Sequence, residues 1–164
     1  MERPLPYSNW CYVCGKDNPS GFHIVFSTES GRVRALYTPD PHRQGYLGVT
    51  HGGVVSTLLD ETMGWAPSLT TGRMYVTAEL TVRYLAPVPV GKLMVVEAWA
   101  EKVTRRLAVV RGEVKGEGGE VLATAHGKFL PMTEEETRKV DDMLIYDRET
   151  LRIFEGLRSG EGDG

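Results

Sequence analysis

One carboxylate in this chain, Asp60, has Ser56 one helical turn before it, Gly64 one turn after it and Thr57 beside it. On a helix these residues share a face, and the face is small where a solvated one would carry Lys, Glu and Arg. His51-Gly52-Gly53 stands upstream. A carboxylate under a close neighbour can serve as a general base or a nucleophile, and desolvation strengthens it as a base. Two glycines at a helix start leave its first backbone N–H groups, above all that of Gly53, open to developing negative charge. The pair points to attack on a carbonyl carbon with donors for the oxyanion. The bland alternative is an Asp60 that merely bonds Ser56 or Thr57.

The element that must carry both is a helix within residues 49–67. Val54, Val55, Leu58, Leu59, Thr62, Trp65 and Ala66 recur at helical spacing, giving it one broad apolar face. Thr50 or His51 is placed to cap its start, and Pro67 to end it. Before it, residues 22–28 and 32–38 alternate as two strands of a hairpin around Ser30-Gly31. After it come strands over 75–85, 93–103, 107–114 and 121–130. In the first of these, Val76, Ala78, Leu80, Val82 and Tyr84 face one way and Thr77, Glu79, Thr81 and Arg83 the other. One apolar helix and about six strands joined by short turns predict an α+β domain, an antiparallel sheet wrapped around a central helix. The free edges of such a sheet are often covered by a second subunit.

We divide the chain into a lead-in (1–21), the sheet-and-helix domain (22–131), and a C-terminal helical extension with a disordered tail (132–164). Thr133-Glu134-Glu135-Glu136 reads as a capping box, and Leu144, Leu151, Ile153, Phe154 and Leu157 as docking residues. The chain has 164 residues, a net charge of -3 and two cysteines. That excludes a disulfide scaffold and speaks against nucleic-acid binding. Neither a signal peptide nor a membrane-length apolar run appears, so a soluble, cytoplasmic protein is expected. Cys11-x-x-Cys14-Gly15 is read as a tight turn with two reduced thiols. Zinc is the alternative, but His23 and His42, the nearest further ligands, lack knuckle spacing. No metal ligand is assigned.

In its motifs the chain resembles the hotdog-fold acyl-CoA thioesterases, PaaI-like in type. The matching residues are Gln44-Gly45-Tyr46-Leu47-Gly48, His51-Gly52-Gly53, Asp60, the run Val76–Tyr84, Pro87-Val88-Pro89-Val90-Gly91 and the strand Leu122–Phe129. The resemblance implies hydrolysis of a coenzyme A thioester carrying a short, medium-chain or aromatic acyl group. It implies no cofactor, and a homodimer or homotetramer. Asp60 would activate water or attack directly, Gly53 would donate to the oxyanion, His51 would shape the helix start, and Thr77 would assist the carboxylate. Glu61 is the second-choice acid. Gly52 would line the substrate, Lys102, Arg105 and Arg106, then Arg83, would meet the coenzyme A phosphates, and Tyr46, Leu47 and Met63 the acyl group. Asp60 lies about 10 Å of helical rise beyond Gly53, too far for one carbonyl to touch both, so the two groups are expected from different subunits. A non-catalytic acyl-CoA sensor and a hotdog hydratase or dehydratase are the alternatives.

Overall fold

The computed structural model describes residues 1–158; the expected disordered tail lies outside them. In chain order the elements are β1 (Arg3–Pro4), β2 (Phe26–Glu29), β3 (Arg32–Tyr37), β4 (Gln44–Tyr46), β5 (Val49–Thr50) and the helix α1 (Gly52–Thr71). There follow β6 (Tyr75–Tyr84), β7 (Met94–Val103), β8 (Ala108–Lys115), β9 (Val121–Pro131), α2 (Glu134–Asp141) and α3 (Glu155–Arg158). The main sheet runs β1-β2-β3-β7-β8-β9-β6, antiparallel throughout, and β4 pairs with β5 apart from it. The expected architecture of an antiparallel sheet around one helix is borne out.

Packing on one side of the helix explains the arrangement. Val55, Leu58, Leu59, Met63, Trp65 and Ala66 of α1 are buried against Val96, Ala98, Val110, Val114 and Phe129 of the strands. Each large side chain so buried contributes about 1.5–3 kcal/mol. Gly112 in β8 is what lets the helix sit this close. A Cβ there would come within 2.9 Å of the Met63 sulfur.

Three boundaries differ from the expectation. The helix does not stop at Pro67 but continues to Thr71, closed by Gly72 in the left-handed conformation. Pro67 gives up one helical hydrogen bond, while Trp65, Ala66, Pro67 and Ser68 all stay buried. The strand expected from residue 22 begins at Phe26. The amides of Phe22 and Ile24 instead bond the Tyr12 and Val13 carbonyls of the lead-in, at 3.1 and 3.0 Å, and His23 turns to φ +55° between them. Third, β6 carries a bulge between Thr77 and Glu79, which breaks its alternation.

At the carboxyl end, Thr133 and Glu136 form the expected capping box. Phe154 is fully buried, and Leu144, Leu151, Ile153 and Leu157 pack against the core. β6, last in the sheet order, leaves Val76 and Tyr84 exposed along its free edge.

Candidate active site

Asp60 projects from the middle of α1 toward β6. Thr77 donates its hydroxyl to the carboxylate at 2.7 Å. Neither Ser56 nor Thr57 bonds Asp60. Ser56 meets the Tyr84 hydroxyl at 2.6 Å, and Thr57 donates to the Gly53 carbonyl at 2.8 Å. The Tyr84 hydroxyl also donates to the Gly52 carbonyl at 2.7 Å, tying the helix start to the strand.

Simple alternation puts Thr77 and Tyr84 on opposite faces of β6, yet both reach α1. The bulge supplies the reason, since one extra residue turns the strand over. Tyr75 and Thr77 face the helix before it, and Leu80, Val82 and Tyr84 after it. Arg83, expected beside Thr77, therefore falls on the other face. Tyr84 is a site-adjacent residue that sequence reasoning missed, and nothing local in the sequence announces a bulge.

The start of α1 is organised by His51. Its Nδ1 accepts the Gly53 N–H at 2.8 Å as the N-cap, while its carbonyl takes the amides of Val54 and Val55. The Gly53 amide, expected to stand open, is thus engaged. Among the described residues it is the neighbouring Gly52 amide that has no acceptor. Gly45, Tyr46, Thr50, His51 and Gly52 line a hollow at this point. Tyr46 and Leu47 sit on the β4–β5 turn, 83% and 94% exposed.

Asp60 itself opens on a small pocket of about 90 Å³ lined also by Glu61, Gly64, Trp65, Met74, Tyr75 and Thr77. Glu61 lies differently. Burial first, then the neighbouring Cys11 and Asp60, push its carboxyl up to about 8. Asp60 has the Thr77 hydroxyl as its partner, whereas Glu61 meets the Cys11 thiol, and this geometry ranks Glu61 behind Asp60.

Arg105 and Arg106, at the β7–β8 turn, line a broad groove with Thr71, Arg73 and Tyr75. Tyr75 lines both this groove and the Asp60 pocket. Arg73, which the sequence reading passed over, adds a third guanidinium, paired with Glu134 at 2.8 Å. Its signal was weak: a cation directly after the helix-ending Gly72. Lys102 and Arg83 line neither cavity. Met63 is corrected outright. It has no exposed surface and packs against Gly112 and Gly127 inside the sheet, because its helical position faces the core.

Comparison with known proteins gives four consistent likenesses. Residues 47–123 match the family model described as the thioesterase superfamily. Acyl-coenzyme A thioesterase THEM4 of Xenopus laevis is 31% identical over 62% of this chain and 45% of its own. A Streptococcus mutans protein solved bound to acetyl-CoA is 25% identical, over 65% of this chain and 88% of that one, with a TM-score of 0.61. The Escherichia coli PaaI protein of the phenylacetic acid degradation operon shares the fold at 19% identity, over 68% of this chain and 81% of that one, with a TM-score of 0.63. The chain spans about half the length of the curated relatives it matches.

Proposed function

We propose that the chain, whose residues 47–123 match the thioesterase superfamily, is a PaaI-like member that hydrolyses an acyl-coenzyme A thioester, as a homodimer at least. The observation that carries this reading is the Asp60 carboxylate, held by Thr77 at 2.7 Å against a pocket that shares Tyr75 with an arginine-lined groove. The acetyl-CoA bound by the Streptococcus mutans relative favours coenzyme A as the carrier. Arg105 and Arg106 then meet its phosphates.

Asp60 either takes a proton from water, which attacks the thioester carbonyl, or attacks it directly to form a mixed anhydride that water then opens. In both routes negative charge grows on the carbonyl oxygen and the coenzyme A thiolate departs. The oxyanion donor is the unengaged Gly52 N–H at the positive end of α1, with His51 fixing the turn that presents it. Asp60 lies eight residues beyond Gly52, about 12 Å of rise along one helix. One carbonyl cannot be within about 3 Å of both. The donor and the carboxylate therefore come from two copies, brought together along the free β6 edge and the small face of α1.

The test is thiol release from a panel of aliphatic and aromatic acyl-CoAs by the wild-type protein and Asp60→Asn, with sedimentation to fix the assembly state. Wild-type turnover with a loss of about 10²–10⁴-fold in a folded Asp60→Asn dimer is the expected result. Equal turnover by both proteins removes Asp60 from the chemistry. Tight acyl-CoA binding without release by the wild type makes the protein a sensor instead.

A further inference from the structure

We propose that Cys11, Cys14 and Glu61 form a binding site for one thiophilic divalent cation, zinc above all, which pins the lead-in to α1 beside Asp60. The inference is independent of the thioesterase reading. It begins with the geometry of the Cys-x-x-Cys turn. The amides of Val13 and Cys14 both point at the Cys11 sulfur, at 3.3 and 3.4 Å. Gly15 closes the turn by donating to the Cys11 carbonyl at 2.9 Å. No other residue fits there, because a Cβ would lie 2.4 Å from that carbonyl oxygen. Such a turn is built to hold a thiolate, the form of cysteine that binds metal.

The third ligand comes from far away in sequence. Glu61 reaches the turn from α1, with Oε1 3.5 Å from the Cys11 sulfur. One ligand atom from each of Cys11, Cys14 and Glu61 lies within 4.8 Å of the others. Around a tetrahedral zinc, with bonds of about 2.3 Å to sulfur and about 2.0–2.2 Å to oxygen, ligand atoms stand about 3.5–3.8 Å apart. Closure therefore takes only side-chain adjustments, and water completes the fourth position. Two sulfurs and one carboxylate select zinc over magnesium or calcium, which prefer oxygen alone.

Charge points the same way. Two thiols and a carboxyl converge here, and among the described residues no Lys, Arg or His pairs with any of them. With Cys14 buried and Cys11 and Glu61 half-buried, such a set is driven either to keep its protons or to gain a cation. The histidines do not compete for the site. His23 Nε2 bonds the Asn18 carbonyl at 2.7 Å, and His42 lies against Asp40 at 3.1 Å.

The experiment is elemental analysis of the reduced, full-length protein, followed by chelation and titration with zinc and then cobalt. We expect one zinc per chain, sulfur-to-cobalt charge-transfer absorption on cobalt binding, and protection of both thiols from a thiol reagent. Cys14→Ser should lose the metal, and Glu61→Gln should bind it at least tenfold more weakly with an unchanged circular dichroism spectrum. Should Cys14→Ser fail to fold, Glu61→Gln and the wild-type thiol protection still decide the matter. Zinc retained at full affinity by either variant would place the metal elsewhere. Reduced wild-type protein that takes up neither metal, or that reoxidises to a Cys11–Cys14 disulfide in the presence of zinc, overturns the proposal.

Discussion

Thr77→Val is the sharpest probe of the site, because it removes one hydroxyl and keeps the shape. The lost interaction is the 2.7 Å hydrogen bond to Asp60. A hydrogen bond to a charged group contributes about 1.5–3 kcal/mol, but Thr77 is exposed in the single protomer, and water entering the site takes over part of the donor's role. About 1–1.5 kcal/mol is the reasonable share, equivalent to about a five- to tenfold change in rate. If Thr77 positions the carboxylate for the reaction, the loss falls on kcat, with KM within about twofold. Thr77→Ser, which keeps the hydroxyl, should restore most of it. The stability of the single protomer should hardly move, since substitutions exposed there usually change it by under about 0.5 kcal/mol. Steady-state kinetics on the best acyl-CoA substrate and a urea titration of all three proteins suffice. A Thr77→Val enzyme with wild-type kcat, or a Thr77→Ser enzyme as impaired as Thr77→Val, refutes the positioning role.

Further outcomes follow from the packing and the charges. Met63→Ala should cost about 2–5 kcal/mol of stability, read by chemical denaturation, while the acyl-chain preference stays as it was; a changed preference with unchanged stability would return Met63 to the substrate pocket. Arg105→Glu with Arg106→Glu should raise KM for acyl-CoA about tenfold but leave an acyl-pantetheine lacking the nucleotide unaffected. On β7 and β8, Lys115 meets Glu97 at 2.6 Å and holds its carboxyl below the usual glutamate range. A depressed carboxyl stabilises the fold above its unfolded value and loses that contribution as pH falls through its folded one. Lys115→Met should therefore be less stable by about 1 kcal/mol near neutrality, and the gap should close on acidification; a gap that widens in acid contradicts this pairing.

Much of the chain could be read without its structure, and for a definite reason. Helix and strand periods are local properties, so α1, β6 through β9 and the capping box of α2 follow from residues a few positions apart. Asp60 could be singled out in the same way, from the small side chains one turn to either side of it. Motifs alone sufficed for the thioesterase resemblance, which rests on short runs of adjacent residues.

What the sequence left open depends on residues that meet across the sheet. Cys11 finds Glu61 across 50 positions with no local signature, and Thr77, which meets Asp60 across 17, was reached only through the family resemblance. Met63 was assigned to the wrong place because its helical spacing is the same whether it faces core or ligand; only Gly112 and Gly127 on the facing strands decide for the core. The helix runs through Pro67 because tertiary burial of Trp65 and its neighbours outweighs a local stop signal. The bulge that turns Tyr84 toward the helix shows only in the pairing of β6 with β9. Local chemistry thus determined which elements form and which residues are capable of reacting. Long-range packing decided which of them meet.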